Sequence, residues 1–197
     1  MPIEIFAALV AFAFVSAVTP GPNNLMLLSS AVNFGFRRSV PHMLGITIGF
    51  TALVLAVGAG MGSILATLPW LYVALKIGGG LYLLYLAWKI AISRSIDDGD
   101  SQGRPLTFLE AAAFQVVNPK GWVMAVTAVA AYTDPARYWP TMLIVTGIFG
   151  AFVLPVSLLW AGAGLALRRW LADPVRLRIF NITMALLLVL SLWPLLR

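Results

Sequence analysis

The sequence contains no cysteine, a single histidine and few charged residues. Without cysteine, the chain has no disulfide bond, no thiolate metal ligand and no thiol nucleophile. His42 is the only histidine, so any site that needs two imidazoles is also excluded. Only 10% of the 197 residues are charged, whereas about a quarter are charged in a typical soluble domain. Most of the protein surface must therefore be apolar.

What the sequence has in place of charge is long apolar stretches. Hydrophobic residues make up 61% of the chain, and the mean hydropathy is +0.94. A helix needs about 20 apolar residues to cross a bilayer, and each of six stretches is long enough. These predicted spans are 3–33, 41–66, 69–93, 106–133, 138–167 and 174–196. We expect an all-α integral membrane protein with six transmembrane helices. No basic residue precedes Arg37, so the first span lacks the n-region of a signal peptide and is expected to be retained.

The net charge of +6 does not indicate nucleic-acid binding, because lysine and arginine lie in short loops, where they set membrane orientation. Nine basic residues flank three loops that alternate along the chain: Arg37, Arg38, Lys89, Arg94, Arg104, Arg168, Arg169, Arg176 and Arg178. The other side has only Arg137 and Arg197. This bias predicts that the hydrophilic loop 94–105 is cytoplasmic and that both termini are periplasmic.

The two halves of the sequence resemble each other. A shift of 99 residues places Pro20 on Pro119, and it aligns PHMLGITIGFTALVL (41–55) with PTMLIVTGIFGAFVL (140–154), which are identical at eight of fifteen positions. Each half contains three predicted spans, an odd number, so the second half must enter the membrane upside down. We predict one transmembrane domain, 1–197, with inverted half-repeats 1–98 and 104–197. Inverted repeats are typical of secondary transporters.

The stretch TPGPNN, residues 19–24, interrupts the first span. From residue 5 to residue 36 the chain has no charge, and one continuous helix of this length would be about 48 Å long, against a hydrocarbon core of about 30 Å. Proline removes a backbone donor, glycine permits unusual dihedrals, and Pro22 suits the first turn of a new helix. We therefore predict that helix 1 is broken. Backbone freed in this way must be buried in protein or line a wet cavity.

The stretch VVNPKGW, residues 116–122, predicts a matching break in helix 4. Asn118 suits an N-cap and Pro119 a first helical position. Lys120 follows in the first turn. A lysine at membrane depth is costly, and at a helix N-terminus its charge also opposes the helix dipole. A bound anion reverses both unfavourable effects. A proline kink without function is the alternative. The predicted substrate-binding residues are Pro20, Gly21, Pro22, Asn23, Asn24, Asn118, Pro119 and Lys120.

These segments predict one midplane site for a small zwitterion. Freed amides and Lys120 would hold a carboxylate. The side-chain oxygens of Asn23, Asn24 and Asn118, with carbonyls of residues 16–19, would accept from an ammonium group.

At these residues the chain resembles the LysE/RhtB family of amino-acid exporters. The resemblance is carried by TPGPNN, by GFRRS (35–39) with Gly45 and Gly49, by GGGLYLLYLAWK (78–89) and by NPKGW (118–122). TPGPNN and SSA (29–31) are similar to the cysteine and O-acetylserine exporters of that family. The resemblance implies efflux of amino acids or their derivatives across the inner membrane, coupled to proton entry. Asn23 stands where many members carry aspartate, so coupling through a carboxylate at this position is not expected.

Three other side chains are candidates for function. Glu110 is either an interfacial residue or a carboxylate that carries protons or pairs with Lys120. Lys76 in the third span either reaches outward to the interface or pairs in the cavity. His42 is expected at the membrane interface.

A transporter is the leading hypothesis, and two others stay open. An intramembrane enzyme would need a nucleophile with a base or a metal cage, and the sequence offers no HExxH motif or paired intramembrane aspartate. A channel or scaffold is the other alternative. The expected partners are a small zwitterionic amino acid, protons and membrane lipids, with a homo-oligomer left open. Neither a cofactor nor a metal is indicated.

Overall fold

The computed structural model describes residues 1–93 and 104–193. Every regular element in these ranges is helical. The α-helices are α1 (Ile3–Val18), α2 (Pro22–Phe34), α3 (Phe36–Ala56), α4 (Gly62–Thr67), α5 (Pro69–Ile92), α6 (Phe108–Val117), α7 (Pro119–Tyr132), α8 (Tyr138–Arg168) and α9 (Pro174–Leu190). Short helical turns follow α3 (Val57–Met61, π-helical) and precede α8 and α9 (Pro135–Arg137 and Trp170–Ala172, both 3-10).

Both predicted helix breaks are present. The axis bends by 49° between α1 and α2, with Gly21 as the N-cap and Pro22 as the first residue of α2. In the second half, α6 ends at Val117, and Pro119 begins α7 directly after the N-cap residue Asn118. Proline lacks the N–H that an interior position must donate, so each helix restarts where the missing donor costs nothing.

The predicted start of the second span at residue 41 is wrong. Helix α3 begins at Phe36 and continues through Pro41. Gly35 alone joins it to α2, with a φ of 83° that favours glycine. A Cβ there would also lie 3.0 Å from Nη1 of Arg168. Arg37 and Arg38 therefore belong to the first turn of α3.

The helices form a multi-pass membrane protein. Three helical segments of the described residues are long and apolar enough to cross a bilayer, namely Phe36–Met61, Val73–Ile92 and Pro135–Arg168, and the bent pair α1–α2 adds a fourth if it is counted as one span. Many large apolar side chains face outward, among them Trp70, Leu109 and Val123. Such a surface is stable in lipid, whereas soluble proteins rarely expose apolar patches so extensive.

Glycine allows the central helices to approach closely. A Cβ on Gly45 of α3 would lie 2.4 Å from the carbonyl oxygen of Phe108 in α6, and a Cβ on Gly49 would lie 2.6 Å from Cα of Ala112. Helix α8 approaches α2 in the same way, since a Cβ on Gly164 would lie 2.6 Å from the carbonyl oxygen of Leu28. Small residues at such contacts hold membrane helices together through backbone packing.

Residues that the predicted repeat makes equivalent contact each other. The rings of Phe50 and Phe149 pack edge to face, with centroids 5.5 Å apart. Thr47 and Thr146 each donate a hydrogen bond to the carbonyl four residues earlier, at 3.0 Å in both cases. The contact between Phe50 and Phe149 is of the kind expected near a pseudo-two-fold axis, and the repeat itself stays a prediction.

The helix ends that flank the three loops rich in lysine and arginine lie at one face of the molecule. Near the end of α2, Asn33 exchanges hydrogen bonds with Asn181 of α9 at 3.0 and 3.2 Å, and its Oδ1 accepts from Ser93 at the end of α5. Arg168 reaches Gly35 at the same face. The predicted grouping of these loops on one side agrees with this arrangement. Arg94, Arg197 and most of the loop 94–105 lie outside the described residues.

Candidate functional site

The two helix breaks and two neighbouring helices enclose one cavity of about 40 Å³. Its lining comes from the end of α1, both breaks, α3 and α8. The lining residues are Ser16, Ala17, Gly21, Pro22, Asn23, Asn24, Ile46, Phe50, Asn118, Lys120, Gly121, Met124, Val153, Val156 and Ser157. Six of the eight predicted binding residues are in this lining. The other two, Pro20 and Pro119, shape the breaks.

Lys120 joins one break to the other. Its Nζ donates a hydrogen bond to the carbonyl oxygen of Thr19, 2.5 Å away. The side chain passes over Gly21, where a Cβ would lie 2.6 Å from Cδ of Lys120. A side chain at position 21 would therefore force the stem of Lys120 to move. In the predicted repeat register, Gly21 and Lys120 are equivalent positions.

Two half-helices begin at the cavity without a side-chain cap. Neither Gly21, the N-cap of α2, nor Asn118, the N-cap of α7, provides a side-chain hydrogen bond to its helix. The amides of a first helical turn have no partner within the helix, and they carry the positive end of the helix dipole. Together with the Lys120 ammonium, they give this end of the cavity a positive potential that suits a carboxylate.

Hydrogen-bond acceptors lie beside these donors. Asn118 is 3% exposed, and its Oδ1 has no hydrogen-bond partner within the described residues. Asn24 donates from Nδ2 to the carbonyls of Ala17 and Thr19, at 2.9 and 3.0 Å. This corrects one expectation, because two carbonyls predicted to be open for an ammonium group are already occupied.

Asn23 is held by a residue that sequence reasoning missed. Gln115 of α6 is fully buried, and its amide pairs reciprocally with that of Asn23, at 2.8 and 3.1 Å. Gln115 also donates to the carbonyl of Ala111. The oxygen of Asn23, predicted to accept from an ammonium group, therefore already accepts a hydrogen bond. A glutamine in an apolar segment, three residues before Asn118, was the available signal.

Comparison with known proteins identifies the family. The chain matches the model of the LysE type translocator over residues 14–191. The chain belongs to the LysE family. It is 36% identical over 186 residues to the cysteine/O-acetylserine efflux proteins of Escherichia coli strain K12, E. coli strain HS and Shigella flexneri, and the alignment covers 90% of this chain and 90% of each relative. No solved structure matches the chain.

In this LysE family protein, Glu110 lies outside the cavity lining. Its carboxylate accepts hydrogen bonds from Arg104 at 2.6 and 2.7 Å, and it forms a capping box with Thr107 at the start of α6. The hydrogen bond to Glu110 raises the pKa of Arg104. Pairing of Glu110 with Lys120, one of the alternatives, is wrong, because Lys120 bonds to Thr19 and Glu110 to Arg104.

The two remaining candidates also lie away from the cavity lining. Lys76 is half-buried in α5. His42 is 1% exposed, and neither ring nitrogen has a hydrogen-bond partner in the described part of the chain.

The Asn23–Gln115 pair predicts an energetic coupling between the two breaks. Asn23→Ala or Gln115→Ala leaves one buried amide unpaired, so each should lower the free energy of unfolding by about 1–3 kcal/mol. The double variant should cost less than the sum of the single variants, because each loses the same contact. Unfolding of the purified protein in detergent measures this cycle. Additive losses would contradict the pairing.

Proposed function

We propose that the chain is a secondary transporter that exports small amino acids or their derivatives across the bacterial inner membrane. The observation that carries the proposal is a cavity at the two helix breaks, where uncapped helix N-termini and a lysine lie beside an unpartnered amide oxygen of the described residues. This combination matches both ends of a zwitterion. Relatives at 36% identity are named for efflux of cysteine and O-acetylserine, which are small amino acids.

The carboxylate end of the site is formed by Lys120 and the first-turn amides of α2 and α7. Hydrogen bonds to a charged group contribute about 1.5–3 kcal/mol each. They need an anion that stays charged in a largely dehydrated space. An α-carboxylate satisfies this condition and also compensates the cost of keeping Lys120 at membrane depth.

The ammonium end of the site is formed by acceptors that become available when substrate enters. Lys120 holds the carbonyl of Thr19 in the cavity described above. When a carboxylate arrives, the lysine transfers to it, and the Thr19 carbonyl, which still accepts from Asn24, has one acceptor position open for the substrate ammonium beside Oδ1 of Asn118. The internal contact is thus replaced by two contacts to the zwitterion.

Transport requires the cavity to change shape. A volume of about 40 Å³ holds about three water molecules, which is smaller than an amino acid. The two half-repeats, 1–98 and 104–197, are proposed to rock about the central helices α3 and α8, so that the site opens to each side in turn. A channel would need an open path on both sides at once, whereas only a carrier exchanges labelled for unlabelled substrate.

Replacing Lys120 tests the site. Lys120→Met keeps the side-chain length and removes the charge, so folding should be preserved while substrate binding weakens by about 10- to 100-fold, as expected for loss of a charged hydrogen bond. Counterflow of labelled amino acids in proteoliposomes measures the effect, with a panel of small neutral amino acids. Lys89→Met, at the far end of α5, is the control. Near-normal exchange by Lys120→Met would contradict the proposal, and efflux without counterflow would indicate a channel.

The proposed architecture is six spans in two inverted repeats, with both termini in the periplasm. The chain has no cysteine, so single cysteines report topology without background. Arg169→Cys should react with an impermeant maleimide only in inverted vesicles, because basic segments stay in the cytoplasm. Ala136→Cys, in the turn before α8, should react in intact spheroplasts. The opposite pattern would invert the topology.

Proton coupling is part of the proposal, and Glu110 is the candidate carrier. Two glutamates lie in helices of the described ranges. Glu110 is in α6, which leads directly to Gln115 and Asn118, whereas Glu4 is at the start of α1. The Arg104 ion pair must open before Glu110 takes a proton. Glu110→Gln should therefore abolish the dependence of exchange on pH, and Glu4→Gln should not. An unchanged pH profile in Glu110→Gln would remove Glu110 from the coupling step. Lys76 has no further support as a cavity residue.

A further inference from the structure

The helix breaks form a polar side of the cavity, and α3 and α8 form a largely apolar wall. Ser157 of α8 provides the one polar side chain on that wall. This wall is formed by residues of α3 and α8, of which the others are apolar: Ile46, Phe50, Val153 and Val156. Ser157 is 2% exposed. Its hydroxyl makes no hydrogen bond to any residue that the structure describes.

The buried Oγ of Ser29 also has no hydrogen-bond partner within the described residues, but Ser29 is not in the cavity lining, and several other buried hydroxyls bond to the backbone. Ser39, Thr47 and Thr146 each donate to the carbonyl four residues earlier, at 3.0 Å. This backbone contact is the usual solution for a serine or threonine inside a helix, particularly where water is scarce. A buried hydroxyl that faces a cavity without such a contact lacks a partner that it would find in water, and this is unfavourable. Ser157 is thus available to a molecule in the cavity.

The position of Ser157 along α8 places it level with the first break. Gly164 of α8 packs against Ala31 of α2, and Arg168 reaches Gly35, so both contacts join residues 133 positions apart and the two helices run parallel. At that offset Ser157 lies beside Asn24, where α2 begins. The charged ends of a zwitterion are already matched by Lys120, the helix N-termini and Asn118. The apolar wall around Ser157 is therefore the place for the substrate side chain.

We propose that Ser157 is a specificity-determining residue that hydrogen-bonds a polar group in the substrate side chain. The inference rests on the proposed function and adds a side-chain preference: small amino acids with a hydroxyl near Cβ are favoured over purely aliphatic ones of the same size. The apolar neighbours exclude charged side chains, because a second charge would have no partner there.

Matched substrates test this proposal. Unlabelled L-serine and L-alanine differ by one hydroxyl, and L-threonine and L-2-aminobutyrate differ in the same way. Each competes for counterflow in proteoliposomes containing the full-length wild type, Ser157→Ala or Thr146→Val. Thr146→Val is the control, because it removes a buried hydroxyl from the same helix at a position outside the cavity lining. The readout is the ratio of half-inhibitory concentrations within each pair.

The wild type should prefer the hydroxylated member of each pair. Ser157→Ala should lower that preference by roughly fivefold to tenfold, which corresponds to one neutral hydrogen bond, and binding of alanine should not weaken. Thr146→Val should keep the wild-type preference. If Ser157→Ala weakens binding of both members of a pair equally, the serine contacts the charged groups of the substrate instead, and the proposal is overturned. An unchanged ratio of half-inhibitory concentrations would overturn it as well. If the wild type exchanges no amino acid at all, the proposed function itself fails, and this result is distinct from both.

Discussion

Unpaired backbone inside a membrane is the constraint on which this structure depends. Lipid cannot donate or accept hydrogen bonds, so the carbonyls at the end of α1 and the amides at the start of α2 and α7 need partners from the protein. Asn24 and Lys120 satisfy the carbonyls of Ala17 and Thr19. The amides are left open toward the cavity. The same requirement that brings the two breaks together thus leaves a set of donors available to a ligand.

A rigid frame holds the breaks in place. Glycines bring α3 onto α6 and α8 onto α2 at backbone contact distance, so each half of the sequence packs closely against the other. The Asn23–Gln115 pair then fixes the start of α2 relative to α6. Polar side chains at the cavity are positioned by these contacts, whereas the helices around them are held by apolar packing. The site is therefore more precisely organised than its short, proline-rich segments alone would imply.

Local features were predictable from the sequence, and contacts between distant segments were not. Both breaks follow from proline and glycine at defined positions, because these residues change the backbone wherever they occur. The cavity residues at the breaks followed from the repeat register. Gln115, Ser157 and the wall on α3 and α8 depend on which helices pack together, and hydropathy does not encode this. Pairing of Glu110 with Lys120 was one of the alternatives left open, because both lie in one predicted span, but Glu110 pairs with Arg104 instead.

The contact between Gly21 and Lys120 has a consequence for the origin of the protein. If the halves arose by duplication, these positions began as the same residue. Two lysines would bring two stems and two ammonium groups into the space that Lys120 now fills, since a Cβ at position 21 would lie 2.6 Å from Cδ of Lys120. Two glycines would leave no cation. A homodimer of single halves could therefore not build this site with both copies alike, and the lysine could be gained only after the copies were free to diverge.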